Sequence, residues 1–255
     1  MKKILIILFS ILAMSLIFLG KMQYDNKIAQ AGKAVQQDQT SDSTDGSLIA
    51  LTENMSGDLQ AKVKSMMESE VPIKVLIVGS GAIMNGDANN LPWPLLVKNA
   101  LEDNYGNDVF EIDVLNFENI TTNHLIEIKG HEQIAAKQAD VLIIEPLLLN
   151  DDGFVKIEHT LQNLKTIIDS VLQVNPETHV MLQPPNPIFE PVAYLEQVEA
   201  LEEYALKNEI EYLNHWPDWP DTSSEDIKEV IKGSFPNAKG QEIWANYFIN
   251  YFIAK

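Results

Sequence analysis

The sequence contains no cysteine and no arginine. Without cysteine there is no disulfide, no thiolate metal site, no thiol nucleophile and no lipidated cysteine. Without arginine the chain lacks the planar fork that grips phosphate or carboxylate at two points, which disfavours phosphate-recognition chemistry. Positive charge is scarce altogether: 18 basic residues, all lysine, stand against 37 acidic ones, a formal net charge of −19. Phosphate backbones and anionic headgroups repel such a surface, so nucleic acid is not expected as a partner. No histidine pair has metal-ligand spacing, and no metal or other cofactor is called for. What is present is 255 residues, 45% hydrophobic and 22% charged, enough for one globular domain with a substantial core.

The longest apolar run lies at the N-terminus. Lys2 and Lys3 precede residues 4–19, interrupted only by Ser10 and Ser15 and closed by Gly20 and Lys21. A run of roughly 16 residues falls between a signal-peptide core and a comfortable transmembrane helix. The small-x-small site Ala29-Gln30-Ala31 stands about ten residues beyond it, late for cleavage. A retained signal anchor is therefore expected over residues 1–21, with cleaved secretion as the alternative. Lysines before the run place the N-terminus in the cytoplasm and the rest of the chain outside the cell, on a single-pass anchor. Residues 22–47 end in KAVQQDQTSDSTDGS, which has too little apolar surface to offset the entropy of ordering, and are expected to be a flexible tether. The folded domain is expected over 48–255.

Within that domain, short β-branched runs alternate with longer amphipathic stretches, the pattern of parallel strands joined by crossover helices. Strands are expected over 73–79, 109–116, 140–146, 178–184 and 210–216. Helices are expected over 54–68, 94–104, 123–138, 156–172, 192–207, 224–232 and 238–253. The fold class is α/β, a flavodoxin-like three-layer sandwich on a five-stranded parallel sheet. Ligands of such sheets bind beyond the carboxyl ends of the strands.

Several chemically capable residues stand at those ends. Gly79-Ser80-Gly81 follows the first strand, where a serine on a tight turn can expose its hydroxyl as a nucleophile; the same residues also make an ordinary Gly/Ser turn. Asn150 and Asp151 follow the third strand, where an amide N–H can serve an oxyanion hole or an Asx turn can cap a helix. Asn186 lies in the stiff QPPNPI segment after the fourth strand. After the fifth strand, NHWPDWPD offers His215 as a base with Asp218 nearby, and Trp216 and Trp219 as a sugar or acyl platform or as packing under a loop.

Together, Gly79-Ser80, Asn150-Asp151 and PNAKGQEIWA (236–245) resemble blocks of the SGNH/GDSL hydrolases. The segments IIEPLLLND, LQPPNPI and YLNHWPDWPD resemble a membrane-anchored subgroup in Gram-positive bacteria. The resemblance implies the SGNH fold from about residue 71 onward and ester hydrolysis by a serine. In that family the oxyanion is held by the serine N–H, a glycine N–H and an asparagine, and a histidine three residues after an aspartate is the base. This chain departs from the pattern at the chemistry. Gly-Asp-Ser is replaced by Gly79-Ser80-Gly81, so either the serine has shifted by one or the nucleophile position is Gly81. Aligned through Pro236-Asn237, the histidine position is Phe235 and the aspartate position Lys232, neither of which replaces an Asp–His pair.

Two readings follow. In one, the domain hydrolyses esters of cell-surface glycan or lipid, with Ser80 attacking, Asn150 polarising the carbonyl, His215 and Asp218 supplying the base, and Gly79, Gly81, Asp151, Asn186, Trp216 and Trp219 lining the substrate. In the other, it is an inactive SGNH-like domain that binds glycan or a partner protein.

Overall fold

The computed structural model describes residues 46–86 and 90–255. The expected anchor over 1–21, and the tether as far as residue 45, lie outside the described residues. Among those described, no helix is long and apolar enough to cross a membrane.

Five strands, β1 (Ile73–Gly79), β2 (Phe110–Asn116), β3 (Val141–Ile144), β4 (His179–Leu182) and β5 (Glu211–Tyr212), form a sheet in the order β2-β1-β3-β4-β5. Every pairing is parallel. This is the expected doubly wound sheet, and β1 and β3 are buried along nearly their whole length, as central strands apolar on both faces must be. The helices are α1 (Gly57–Glu68), α2 (Trp93–Tyr105), α3 (Thr122–Glu127), α4 (Gly130–Ala135), α5 (Leu148–Asp151), α6 (Ile157–Val174), α7 (Ala193–Lys207) and α8 (Ala238–Phe252).

Alternate residues of a strand face opposite ways, and β1 and β3 pair Leu76 with Leu142 and Val78 with Ile144. These four and Leu182 of β4 therefore share one face. They pack with Leu125, Ile134, Leu164, Ile167, Val198 and Leu201 from α3, α4, α6 and α7. In α6, Leu164, Ile167, Ile168 and Val171 recur at the i, i+3, i+4, i+7 spacing of a one-sided helix. The opposite face carries Val75, Ile77, Val141, Ile143 and Met181, all buried. On that side Trp93 of α2 stacks on Trp244 and Phe248 of α8, with centroids 5.3 and 4.6 Å apart. Asn237 caps α8 by accepting from the N–H groups of Lys239 and Gly240.

The structure corrects three expected elements. The helix expected over 123–138 is two, α3 and α4, because Lys129 turns left-handed (φ 60°) between them. The helix expected over 224–232 is a 3-10 turn, Glu225–Glu229, followed by an antiparallel hairpin of β6 (Ile231–Lys232) and β7 (Phe235–Pro236). Gly233, at φ 66°, supplies the left-handed first position of its two-residue turn. The strand expected over 210–216 pairs only through Glu211 and Tyr212, apart from a bond from the Leu213 N–H to the Leu182 carbonyl.

Candidate functional site

The carboxyl edge of the sheet gathers an unusual number of buried polar side chains: Ser80, Glu145, Gln183, Asn186 and His215 from the strand ends, and Gln241 from α8. Burial of such groups is tolerable only when they are hydrogen-bonded. Their partners therefore define what each can do.

Ser80 is 1% exposed. Its Oγ caps the 3-10 turn Gly81–Met84 by accepting from the Ala82 N–H at 3.3 Å. Its N–H donates to Glu145 Oε2 at 2.7 Å. Glu145 takes a further bond from the Leu147 N–H at 2.8 Å. Burial raises the Glu145 pKa above the ordinary carboxyl range, against the lowering effect of these hydrogen bonds. The hydroxyl expected to face solvent is thus buried, and the turn's N–H is held by the Glu145 carboxyl group, which belongs to no sequence motif. Glu145 was nonetheless legible, as the one charged residue at the end of the apolar run DVLIIEP.

His215 is wholly buried, and both ring nitrogens are engaged. Trp219 Nε1–H, which can only donate, lies 2.9 Å from Nδ1, so Nδ1 is the acceptor. The proton is therefore on Nε2, which donates to the Pro184 carbonyl at 2.9 Å. The ring stacks on Trp244, 4.6 Å between centroids. Burial pushes its pKa down from 6.5 to about 3, despite the bond to Pro184. A neutral imidazole with both nitrogens occupied cannot take a proton from serine, and the role of base expected for it is corrected to that of a core bridge. Asp218 does not hold this ring: it is exposed, and the bond joining the two residues runs from its backbone N–H to the His215 carbonyl.

The aromatic platform is corrected likewise. Trp219 is 6% exposed, and Trp216 is half-buried against Tyr194 with its Nε1–H on the Pro185 carbonyl. Asn186 is buried, its amide donating to the carbonyls of Pro187 and Ser234. Asp151, expected beside the substrate, accepts from the N–H and Oγ1 of Thr122 and from Thr160 Oγ1 at 2.5–2.8 Å, which ties α5 to α3 and α6.

The Asn150 amide donates to the carbonyls of Glu118 and Ile120, at 2.8 and 2.9 Å. The Gly81 N–H donates to the same Glu118 carbonyl, also at 2.8 Å. A Cβ added at Gly81 would lie 3.5 Å from Phe235 Cε1. The chain thus brings Gly81, one of the two positions open for the nucleophile beside Ser80, next to Phe235, the position expected for the histidine, and neither carries a reactive group. Lys232 is exposed on the same hairpin.

The two glycines of the turn differ in what they permit. A Cβ at Gly79 would stand 2.8 Å from Ile83 Cγ2 and 2.9 Å from Glu145 Oε2, whereas at Gly81 the nearest contacts are ordinary. Gly79→Ala is expected to cost about 1–3 kcal/mol by overpacking, and Gly81→Ala less than about 0.5 kcal/mol. Urea midpoints of the two variants measure the contrast, and equal losses would contradict it.

No family model and no curated protein matches the sequence. Solved structures do match its fold. An acetyl xylan esterase, AlAXEase, aligns at TM-score 0.57 and 14% identity, over 69% of this chain and 98% of its own. A GDSL-like lipase from Bacteroides thetaiotaomicron aligns at 0.54 and 14%, over 75% and 97%. LAE5, an alpha/beta hydrolase enzyme from the metagenome of Lake Arreo, Spain, aligns at 0.57 and 12%, over 72% and 97%.

Proposed function

We propose, on the premise that this chain has the SGNH/GDSL hydrolase fold, that it is a membrane-anchored, extracytoplasmic domain that binds ester-bearing cell-surface glycan without serine–histidine turnover. The observation that carries this reading is the contact of Gly81 with Phe235, a phenylalanine where the resemblance calls for the histidine base, with Ser80 buried on the same turn. Removing members of a catalytic triad costs several orders of magnitude in rate. The side chains that could substitute are committed elsewhere: Ser80 to its cap, His215 to Pro184 and Trp219. The N-terminal apolar run and its preceding lysines support the anchored, external location.

One observation favours a second reading, ester hydrolysis through Ser80. Its N–H is bonded to a carboxyl group, Glu145, whose pKa burial raises, which makes the ionised form a stronger base than an ordinary glutamate. The same assay separates the two. The full-length protein in mild detergent is expected to hydrolyse p-nitrophenyl acetate no faster than its Ser80→Ala variant, while being retained on acetylated cell-wall polysaccharide more than on the de-acetylated polymer. A rate lost in both Ser80→Ala and Glu145→Gln would replace the binding reading with the hydrolytic one.

A further inference from the structure

A cavity of about 650 Å³ opens at the amino edge of the sheet, the end opposite the candidate site. Four of its lining residues are apolar: Ile168 and Leu172 of α6, Val180 of β4, and Ile210. His179 and Glu211, the first residues of the parallel neighbours β4 and β5, line it as well. Apolar walls with a few fixed polar groups, enclosing a volume of this order, are what small-molecule sites share. We infer that this cavity is a second ligand site, for a small primary ammonium carrying a short apolar chain, whose N–H group bonds to His179 Nδ1 while its chain lies against the apolar wall.

The polar part of the wall is held in place from several sides. Glu211 Oε2 is bonded to His179 Nε2 and to Ser56 Oγ, each at 2.7 Å, and Oε1 accepts from the Tyr251 hydroxyl at 2.5 Å. Burial works against the charge on Glu211, but these bonds outweigh it and lower its pKa, so at neutral pH it is a carboxylate that can only accept. The His179 proton is therefore on Nε2, and in the neutral ring Nδ1 keeps a lone pair that has no partner among the described residues. The two side chains are 18% and 19% exposed, sheltered from bulk water yet within reach of a molecule in the cavity. Charge then selects the sign of the ligand. Asp58, Asp169, Glu209 and Glu211 stand around the cavity against one lysine, Lys165, which is already paired with Asp169 at 2.6 Å. An anion of the same length meets four like charges, and a quaternary ammonium has no N–H to offer Nδ1. The inference goes beyond the proposed function, because it concerns the other end of the sheet and needs no particular outcome at Ser80.

The test uses n-butylammonium as the probe and the His179 ring resonances of the full-length, 15N-labelled protein as the readout, in mild detergent at pH 8, where an ordinary imidazole is neutral. The resonances are assigned by their loss in His179→Gln. Butylammonium should shift them saturably, and at about tenfold lower concentration than ethylammonium, since each buried methylene is worth about fourfold. Tetramethylammonium, butyrate and sodium chloride at the same ionic strength should leave them in place. Leu172→Trp fills the cavity without touching its charges and should raise the half-saturating concentration by about tenfold; Glu209→Gln removes one charge and should raise it by about threefold. If Leu172→Trp does not fold, the ligand ranking on the wild type and the Glu209→Gln comparison still decide. A ring that butylammonium never moves, that ethylammonium or tetramethylammonium moves equally well, or that responds identically in wild type and variants overturns the inference. A Ser80-dependent esterase rate would overturn the binding reading of the preceding section while leaving this ranking intact.

Discussion

Replacing His215 by glutamine is expected to make the protein about 2 kcal/mol less sensitive to acid between pH 7 and pH 5, each unit of pKa shift being worth about 1.36 kcal/mol. The folded-state pKa of His215 is lowered from 6.5 to about 3 because the ring is wholly buried. The unfolded chain therefore binds a proton in a range where the folded chain refuses it. Stability from this group is fully present above the unfolded value and is lost as the pH falls from about 6.5 towards 3, amounting to roughly 5 kcal/mol at the lower end. Glutamine keeps one donor and one acceptor for Pro184 and Trp219 without titrating.

Other groups make the total pH profile composite, which is why the comparison with the variant is needed. Burial disfavours the charge on Glu211, but bonds from His179, Tyr251 and Ser56 outweigh it, and the net pKa is lowered. Its contribution is likewise lost as acid protonates it. Glu145 and Asp151 run the other way: burial raises both, so their contribution is present in acid and lost as the pH rises above the ordinary carboxyl range. Urea midpoints of the two proteins at pH 7, 6 and 5 isolate the histidine. Parallel lines for wild type and His215→Gln would mean that the ring is not the buried neutral bridge described above.

The fold was readable in the sequence because hydrophobic period and length speak directly to it. IKVLIVG and DVLIIEP are too short and too uniformly apolar for surface helices, and both are central strands. The elements that were misread depended on single backbone angles. Lys129 at φ 60° breaks a helix whose side-chain pattern continues across it, and Gly233 makes a hairpin where the flanking charges read as helical. The site was harder, because a motif names residue types and not the direction in which they point. Ser80 stands on the expected turn but is buried, its Oγ capping the turn that follows. His215 stands at the expected strand end, but the tryptophan four residues later takes its Nδ1. The two polar residues that seat α8, Gln183 and Gln241, lie inside otherwise apolar patterns. A buried polar residue in such a stripe is a signal available from sequence, though its partner is not. Gln241 receives the Trp93 N–H and donates to the Ala82 carbonyl, linking α8 to α2 and to the turn after β1.

Trp244→Ala is expected to remove most of the remaining stability. The ring is fully buried and lies between Trp93, at 5.3 Å, and His215, at 4.6 Å, with Trp219 set edge-on at 6.2 Å. Truncating a buried tryptophan to alanine costs about 3–5 kcal/mol through lost transfer energy and the cavity left behind. The indole also donates to Gln183 Oε1 at 2.7 Å, and Gln183 is itself 0% exposed. Loss of that bond strands a buried acceptor, a further cost of about 1–3 kcal/mol. Set against the ~5–15 kcal/mol typical of a whole domain, the sum brings the variant to the edge of unfolding. Trp244→Phe separates the two contributions, because it preserves much of the aromatic stack and removes only the donor. It should lie well short of the alanine variant in urea midpoint, by about 2–3 kcal/mol. If phenylalanine costs as much as alanine, the hydrogen bond to Gln183 dominates and the ring stack is secondary. If neither variant shifts the midpoint, α8 is not the element that closes this face of the sheet, and the aromatic column from Trp93 to His215 does not hold the carboxyl edge in place.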